Sequence, residues 1–544
     1  MTLQKPDYPS RRGVLIGAAA AAAGLALPGP AEAQAIAGVL RIGMTAADIP
    51  LMTGAPDNGF EGYRFCGYTL YDALCNWDLS SATKPSDVVP GLAESWAIDP
   101  KDKTKWVFKL RHGVNFHDGS PFNADAVVWN YDKLINKSAP QFDPRQVALI
   151  GFRIPSIKAV RKIDTYTIEF TTPSPDAFVP YQVVYIPIAS PKQWEAVGKD
   201  WAKFNEHPSG TGPFKFDKFV PRQRAEFVPN KDYWDRKRIP KTDRVVLLPL
   251  PEPNSRTSAL LSGQVDWIEQ PSPDAVPQLK SAGMQITSNP YPHIWPYHPS
   301  VLPDSPFHDI RVRKAINLAI DRDGLVKLVG GYALPAKGHV LPDSPWFGKP
   351  SFDIKHDPAQ AKKLLIEAGY GPSKPLHLKF AISASGSGQM LPLPMNEYVQ
   401  QNLADVGVKL DFDVTEWQAL IDRWRAGAKS PMNKGIDAVN VSYATQDPFS
   451  AFTRFLRSDL HAPSGVNWGF YSDPAMDKLL AAAQTAPDPA TLNAALARIH
   501  QKMVDDAVMI WVVHDTGPRA MSPRVKGFVQ AKNWFQDLTP VSVA

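Results

Sequence analysis

Residues 105–129, KWVFKLRHGVNFHDGSPFNADAVVW, decide the first part of the fold. They begin with a strand pattern in which apolar and polar residues alternate, and one face of that strand carries Trp106, Phe108 and Leu110. A turn around Asp118 follows, and Asn123 then stands where a helix takes its N-cap. The stretch therefore predicts a strand, a turn and a helix in direct succession.

The turn contains His117 and Asp118, which admit two interpretations. They form a metal-ligand pair or an acid/base dyad, or they are hydrogen-bonded turn residues. Asp-Gly after an alternating strand is a turn signal, and the Pro and Asn that follow lead directly into the helix. The pattern favours the structural interpretation.

Before residue 300 the chain is mainly β-rich. Residues 214–230, FKFDKFVPRQRAEFVPN, predict a hairpin, and residues 67–77, GYTLYDALCNW, predict a helix. If the helix also includes Phe65 and Cys66, as FCGYTLYDALC (65–75) predicts, Cys66 and Cys75 would lie about 13 Å apart, beyond the roughly 7 Å limit for a disulfide. We therefore expect two free, buried thiols, although a break at Gly67 would allow a bridge.

From about residue 305 the pattern changes to helix-rich α/β. Asp309 and Asp357 are predicted N-caps of amphipathic helices. Residues 408–414, VKLDFDV, predict a strand with Val408, Leu410, Phe412 and Val414 turned inward. Thr415 is the predicted N-cap of the helix that follows.

The N-terminus has the pattern of an export signal. Arg11 and Arg12 precede an apolar stretch that ends in a small-x-small site at 31–33, so residues 1–33 are predicted to be a twin-arginine signal peptide. A membrane anchor is the alternative, but the apolar run is too short to span a bilayer. With no Cys near the cleavage site, we expect an unanchored periplasmic protein.

Composition and motifs exclude several classes. A chain of 544 residues is too long to fold around one hydrophobic core, so we expect two or three domains. Without residues 1–33, 56 basic and 52 acidic residues remain. This small net positive charge does not indicate a nucleic-acid-binding protein. No GxSxG, HExxH or phosphate-loop motif is present, so we expect no catalytic residues, metal site or cofactor. An enzyme whose site assembles from distant segments is the open alternative.

Eight motifs in order resemble one family. They are YDALCNWD (71–78), PGLAESWAID (90–99), the opening stretch (105–129), GTGPFKF (210–216), NKDYWD (230–235), ALLSGQVDW (259–267), PFHDIRVRKAINLAIDRDGLV (306–326) and DPAQAKKLLIEAGY (357–370). The chain is similar to solute-binding protein family 5, the periplasmic dipeptide-, oligopeptide- and nickel-binding proteins of ATP-driven (ABC) importers.

That resemblance implies an α/β, two-lobe periplasmic-binding-protein fold of type II, in its large cluster C form, with an extra β-rich subdomain. It implies a first lobe over 36–292 with the inserted subdomain at about 71–207, a second lobe over 293–514, and a return to the first lobe over 515–544. A solute enters the cleft, the lobes close by a hinge motion, and the closed protein docks on ABC permease subunits. We expect a monomer that is exported by the Tat machinery.

The resemblance also implies where the solute binds. In peptide-binding members a Trp-containing stretch ending in Asp-Pro supplies a carboxylate for the ligand's amino terminus, and here the matching stretch is VNVSYATQDPFSAF (439–452). It offers Tyr443, Gln446 and Asp447, with Asp447 equally suited to cap a helix before Pro448. Residues 381–394, where dipeptide binders carry an Arg for the ligand's carboxylate, contain no Arg. We therefore expect ordinary dipeptides to bind poorly.

Three aromatic residues are further candidates for the cleft walls: Trp295, Tyr297 and Trp417. For each of them, packing in a core is the alternative role. For the whole protein, two other functions stay open, a binding protein that docks on a receptor as a ligand sensor and an exported hydrolase.

Overall fold

The computed structural model describes residues 37–57, 59–386 and 388–544, apart from the side chain of Phe60. The predicted signal at 1–33 lies outside the described residues. The strands are β1 (Val39–Met44), β2 (Cys75–Trp77), β3 (Val88–Pro90), β4 (Ala93–Ile98), β5 (Lys105–Leu110), β6 (Ala159–Asp164), β7 (Thr167–Thr171), β8 (Phe214–Val220), β9 (Arg224–Pro229), β10 (Arg244–Pro249), β11 (Trp267–Glu269), β12 (Gln285–Thr287), β13 (His293–Pro299), β14 (Ala333–Pro335), β15 (Leu376–Ser383), β16 (Val408–Thr415), β17 (Ala438–Asn440), β18 (Tyr443–Ala444), β19 (Ile510–Asp515), β20 (Arg519–Met521), β21 (Val525–Lys526) and β22 (Ser542–Val543).

The α-helices are α1 (Gly59–Gly62), α2 (Tyr68–Leu70), α3 (Ala124–Ile135), α4 (Pro144–Ile150), α5 (Val179–Val183), α6 (Pro191–Ala196), α7 (Trp201–Glu206), α8 (Pro253–Leu261), α9 (Val276–Ser281), α10 (Ile310–Ala319), α11 (Arg322–Leu328), α12 (Pro358–Glu367), α13 (Pro392–Asp405), α14 (Trp417–Ala426), α15 (Arg454–Leu456), α16 (Pro474–Gln484) and α17 (Pro489–Asp505). Two π-helical turns, Tyr63–Gly67 and Phe449–Thr453, precede α2 and α15.

Two large sheets organise the chain. The first has the order β12-β20-β11-β1-β10-β9-β8, and β1 lies parallel to β10 and β11. The second has the order β14-β19-β13-β17-β15-β16, with β18 paired to β13. A separate antiparallel sheet, β4-β5-β7-β6, carries the opening stretch of the sequence.

The chain passes between the two large sheets twice, at 288–292 and again at 516–518. We call residues 37–287 and 519–544 the first half, and residues 293–515 the second half. The first crossing is joined to the residue just before the second, because the hydroxyl of Tyr291 donates to Asp515 Oδ2 at 2.8 Å. Both side chains are buried, so this hydrogen bond lies away from water.

A buried ionic network stands beside these crossings. Glu269 Oε2 lies 2.7 Å from Arg64 Nη2, and Glu269 Oε1 lies 3.0 Å from Arg519 Nε. Burial alone would raise the pKa of Glu269, but the two guanidinium groups hold it below its usual range. One carboxylate therefore joins the π-helical turn before α2 to strands β11 and β20.

Several local predictions are confirmed. Trp106, Phe108 and Leu110 are buried along β5, and Asn123 caps α3 by accepting a hydrogen bond from Ala126 N at 3.1 Å. Strands β8 and β9 form the predicted hairpin. The predicted caps of α10 and α12 are also present, at Asp309 and Asp357.

The His117–Asp118 turn is built from local and distant hydrogen bonds. Asp118 Oδ1 accepts from the backbone N of Ser120 at 2.8 Å, and Asp118 Oδ2 accepts from the hydroxyl of Ser190. His117 Nδ1 accepts from Gly210 N at 3.3 Å, so its Nε2 carries the proton that it donates to Gly212 O at 3.0 Å. Burial lowers the pKa of His117 to about 4. These contacts give the turn a structural role.

The helix predicted over 67–77 is wrong beyond Leu70. The chain is extended from Tyr71 onward and forms β2. Asp72 explains the difference, because its buried carboxylate accepts hydrogen bonds from Tyr233 Oη at 2.7 Å and Trp234 Nε1 at 2.9 Å. These partners lie some 160 residues away in sequence, so the helical pattern is overridden by tertiary contacts.

Two further details are corrected or confirmed. Cys66 lies in the π-helical turn and Cys75 on β2, and both thiols are free and buried as predicted. Thr415 does not cap α14: it ends β16, and Glu416 is the cap that accepts from Gln418 N. Val414 was expected to face inward but is 51% exposed, since β16 loses its alternation near its end.

Candidate functional site

The segment 439–456 passes from the second sheet to a helical turn. Tyr443 pairs with Ile294 through β18, and Asp447 then accepts a hydrogen bond from Ser450 N at 2.8 Å through Oδ1. This is the helix cap that Asp447-Pro448 offers, because Pro needs no hydrogen bond at the first helical position. The cap places residues 446–454 against the first half.

Gln446 and Asp447 meet a tyrosine of the first half. The hydroxyl of Tyr185, just after α5, donates to Asp447 Oδ2 at 2.8 Å and accepts from Gln446 Nε2 at 2.9 Å. All three side chains are buried. Two of the predicted site residues therefore lie where the halves touch, and Asp447 both caps a helix and contacts the other half.

Two arginines flank the same contact. From the first half, Arg153 Nη1 donates to Ser450 Oγ at 3.2 Å, and its guanidinium carbon lies 4.5 Å from the centroid of the Tyr185 ring. From the second half, Arg454 Nε donates to the backbone oxygen of Ser450 at 2.9 Å. Burial, and then the charge of Arg153, lower the pKa of Arg454 to about 10, so it stays protonated at neutral pH.

Tyr443 lies in the same region of the second half. Its ring centroid is 4.5 Å from that of Phe455 and 5.7 Å from that of Trp424, and the Arg454 guanidinium carbon lies 5.3 Å from it. The Tyr443 hydroxyl donates to no described residue, while Trp424 Nε1 lies close enough to donate to it. Tyr443, Gln446 and Asp447 are thus brought together with Arg454.

Trp295 and Tyr297 lie elsewhere. Both are fully buried in the core formed by α10, α13 and the second sheet. Trp295 Nε1 donates to Gln389 Oε1 at 2.9 Å, and the hydroxyl of Tyr297 donates to Asn396 Oδ1 at 2.7 Å. Ile294 packs in the other core, with Tyr443, so the neighbouring Trp295 is on the opposite face of β13. The structure does not bring these two aromatics to the Gln446–Tyr185 contact.

Trp417 is partly buried and packs at the edge of the core that contains Tyr443. It lies close against the backbone of Gly386, where an added Cβ would come within 2.5 Å of the indole ring. Gly386 belongs to residues 381–394, the region that lacks Arg. Trp417 is therefore placed beside a loop, separate from the arginines.

The residues missed by sequence reasoning are Arg153, Tyr185 and Arg454. Arg153 and Tyr185 carry no local signal, because they meet the site only through the fold. Arg454 does have one: it is a lone cation in the apolar stretch AFTRFL (451–456), and its side chain is buried there.

Within the described parts of the chain, no three His, Cys, Asp or Glu side chains are grouped as a metal site requires. In the same residues, no helix combines the length and the apolar character that crossing a bilayer demands.

Comparisons with known proteins agree with this architecture. A model described as bacterial extracellular solute-binding proteins, family 5, middle part, matches residues 87–461. Di/tripeptide-binding protein 2 of Pseudomonas aeruginosa is 29% identical over 413 residues, 71% of this chain and 75% of that protein. Heme-binding protein A of Haemophilus influenzae is 28% identical over 500 residues, 88% of each chain. The solved structure of HbpA2 from Haemophilus parasuis superposes with a TM-score of 0.77 at 23% identity, covering 93% of this chain and 100% of that one.

Proposed function

Because this chain belongs to family 5 of the bacterial extracellular solute-binding proteins, we propose that it captures a peptide or peptide-sized polar solute between its halves and delivers it to an ABC importer. The fold is the two-lobe α/β fold of periplasmic binding proteins, with an additional β-rich subdomain. Two named relatives, a di/tripeptide-binding and a heme-binding protein, support a small organic solute.

The contact of Tyr185 with Gln446 and Asp447 is the observation that carries this proposal. It joins the two halves through buried polar groups that water would otherwise solvate. A solute held beside it is shielded from water when the halves meet, which strengthens each polar contact that it makes. Solute binding and closure of the halves are thereby coupled.

The lobes follow the sheets. The first lobe spans 36–292 with its inserted subdomain at about 71–207, the second spans 293–514, and 515–544 return to the first. This division is supported by the two crossings at 288–292 and 516–518. The hinge then contains Tyr291 and Asp515, whose hydrogen bond joins the first crossing to the residue just before the second.

The chain works outside the cytoplasm. Residues 1–33 direct export through the twin-arginine machinery, after which an unanchored monomer occupies the periplasm. ABC permease subunits in the inner membrane receive the closed protein, and the twin-arginine pair Arg11 and Arg12 supports this route of export.

Mass spectrometry of the exported chain tests the binding function. Purified under non-denaturing conditions, the protein is expected to retain a small organic solute of unchanged mass, released on unfolding. After the solute has been removed, adding it back should give a saturable, one-to-one binding curve in calorimetry. A chain that converts the solute is an enzyme, and one that neither retains nor rebinds any small molecule contradicts the proposal.

A further inference from the structure

Arg454 is a buried cation with unused hydrogen-bond donors. Arg454 is only 9% exposed, and its Nε donates a hydrogen bond to the backbone oxygen of Ser450. Among the described residues, Arg454 forms no ion pair, and Nε is the only one of its nitrogens that makes a hydrogen bond. A buried guanidinium normally has a carboxylate or several carbonyl oxygens as partners.

Other donors without partners adjoin Arg454. His298 Nε2 accepts from Gly469 N at 3.3 Å, so the neutral ring carries its proton on Nδ1. Burial, and then the charge of Arg454, lower the pKa of His298 to about 3. No described residue accepts from His298 Nδ1 or from the Tyr443 hydroxyl, and the two ring centroids lie 6.5 Å apart.

The neighbouring carboxylate is already engaged. Asp447 Oδ2 accepts from the Tyr185 hydroxyl, and Asp447 Oδ1 accepts from Ser450 N. Gln446, the residue before Asp447, carries no charge. The region therefore offers an unpaired cation and neutral donors, but no uncommitted anion for an amino terminus.

We infer that the solute presents an ionised carboxylate to Arg454, with the Tyr443 hydroxyl and His298 Nδ1 as additional donors. A monoanion matches one unpaired guanidinium, and charge-assisted hydrogen bonds of this kind are the strong ones. This inference rests on the proposed function, since it assigns the chemistry of the solute in that same site. It also explains a buried cation that forms no ion pair with any described residue, although the nearby charge of Asp447 partly offsets the lowering of its pKa by burial.

Two N-acetylated dipeptides, which have no charged amino terminus, test the inference. N-acetyl-Ala-Ala ends in an ionised carboxylate, and N-acetyl-Ala-Ala amide ends in a neutral amide. The two probes are otherwise identical. Calorimetry on the solute-free protein is expected to show the acid binding roughly 10- to 100-fold more tightly than the amide, as a hydrogen bond to a charged group provides. Arg454→Gln should bring the ratio of the two affinities close to one, and Arg454→Lys should keep part of it.

The ratio of acid to amide affinity separates binding from folding, because general damage weakens both probes alike. Arg498→Gln is the matched control, since Arg498 is exposed on α17 of the same half, and it should leave the ratio unchanged. Equal affinities in the unsubstituted protein, no binding of either probe at millimolar concentration, or an unchanged ratio in Arg454→Gln would each overturn the inference. None of these results removes the proposed function if a retained solute is still found by mass spectrometry.

Discussion

Two buried arginines of this chain have opposite surroundings. Arg519, directly after the second crossing, is 3% exposed and forms an ion pair with Glu269 at 3.0 Å. Arg454, where the halves touch, is 9% exposed and has no such partner in the described residues. Desolvation lowers the pKa of both. Glu269 offsets this cost for Arg519 through a direct ion pair, whereas Asp447 acts on Arg454 through its charge without forming an ion pair. The Arg519–Glu269 ion pair stabilises the fold, whereas Arg454, without an ion pair, is the residue that we propose to bind the solute's carboxylate.

The largest expected effect concerns the buried ionic network beside the crossings. Glu269→Ala leaves Arg64 and Arg519 buried without their carboxylate, which should lower the free energy of unfolding by about 3–5 kcal/mol. Urea denaturation followed by circular dichroism measures the loss. Glu195→Ala, at an exposed position of α6, is the control and should stay within about 0.5 kcal/mol of the unsubstituted protein. A loss no larger than that of the control would remove the contrast between the two arginines.

The next effect concerns unmodified dipeptides. Asp447 has both oxygens engaged and Gln446 is neutral, so the amino terminus of Ala-Ala finds no free carboxylate. Its Kd should be weaker than about 1 µM and roughly 100-fold weaker than that of the retained solute. Calorimetry with both ligands on the same solute-free sample makes the comparison. Submicromolar binding of Ala-Ala would show that the site recognises ordinary peptide termini.

A single hydroxyl should account for about tenfold in solute affinity. Tyr185→Phe removes the group that bridges Gln446 and Asp447, leaving an oxygen of Asp447 buried without its donor. The retained solute is expected to bind about tenfold more weakly, with most of the change in its dissociation rate. Tyr166→Phe, in the β-rich subdomain, serves as the control. If both variants bind alike, the bridge does not contribute to closure.

The smallest effect is a pH dependence within the second half. His500 Nδ1 donates to Phe347 O at 2.6 Å while Nε2 accepts from His339 N at 2.8 Å, so only the neutral ring fits. Burial lowers its pKa to about 4 in the folded state, below the unfolded value near 6.5. The unfolded chain thus binds the extra proton between these values, and stability falls as the pH falls from about 6.5 to 4.

In that window His500 should contribute on the order of 1 kcal/mol per pH unit to the slope of the unfolding free energy. Urea denaturation at several pH values measures the slope, which His500→Gln should reduce. His377→Gln, at an exposed position of β15, should leave it as it was. Equal slopes for the two variants would mean that His500 is not held neutral by its contacts.

The sequence predicted those elements whose signals are local. The strand, turn and helix of residues 105–135 follow from alternation and from the cap at Asn123, and the hairpin at 214–229 follows from two apolar runs around a turn. The helix over 67–77 failed because Asp72 bonds to residues some 160 positions away. Contacts at that separation leave no trace in local periodicity.

The candidate site also combines residues that a local motif indicates with residues that only the fold brings together. Gln446 and Asp447 were proposed from their place in a motif, and in the structure both contact the first half. Tyr185 was missed, since it meets Asp447 across 262 residues of chain. Trp295 was proposed because of its size and place, but aromatic character alone does not distinguish a cleft wall from a core, and it lies in the core.

Small-angle X-ray scattering of the solute-free protein, before and after its retained solute is added back, tests the central claim most directly. The account predicts that the solute-free halves separate, so that the radius of gyration is larger than the value calculated from this structure. Addition of the solute should then reduce it to the calculated value as the Tyr185–Asp447 contact closes. An identical radius of gyration at zero and saturating solute would contradict the claim that the halves close around a ligand.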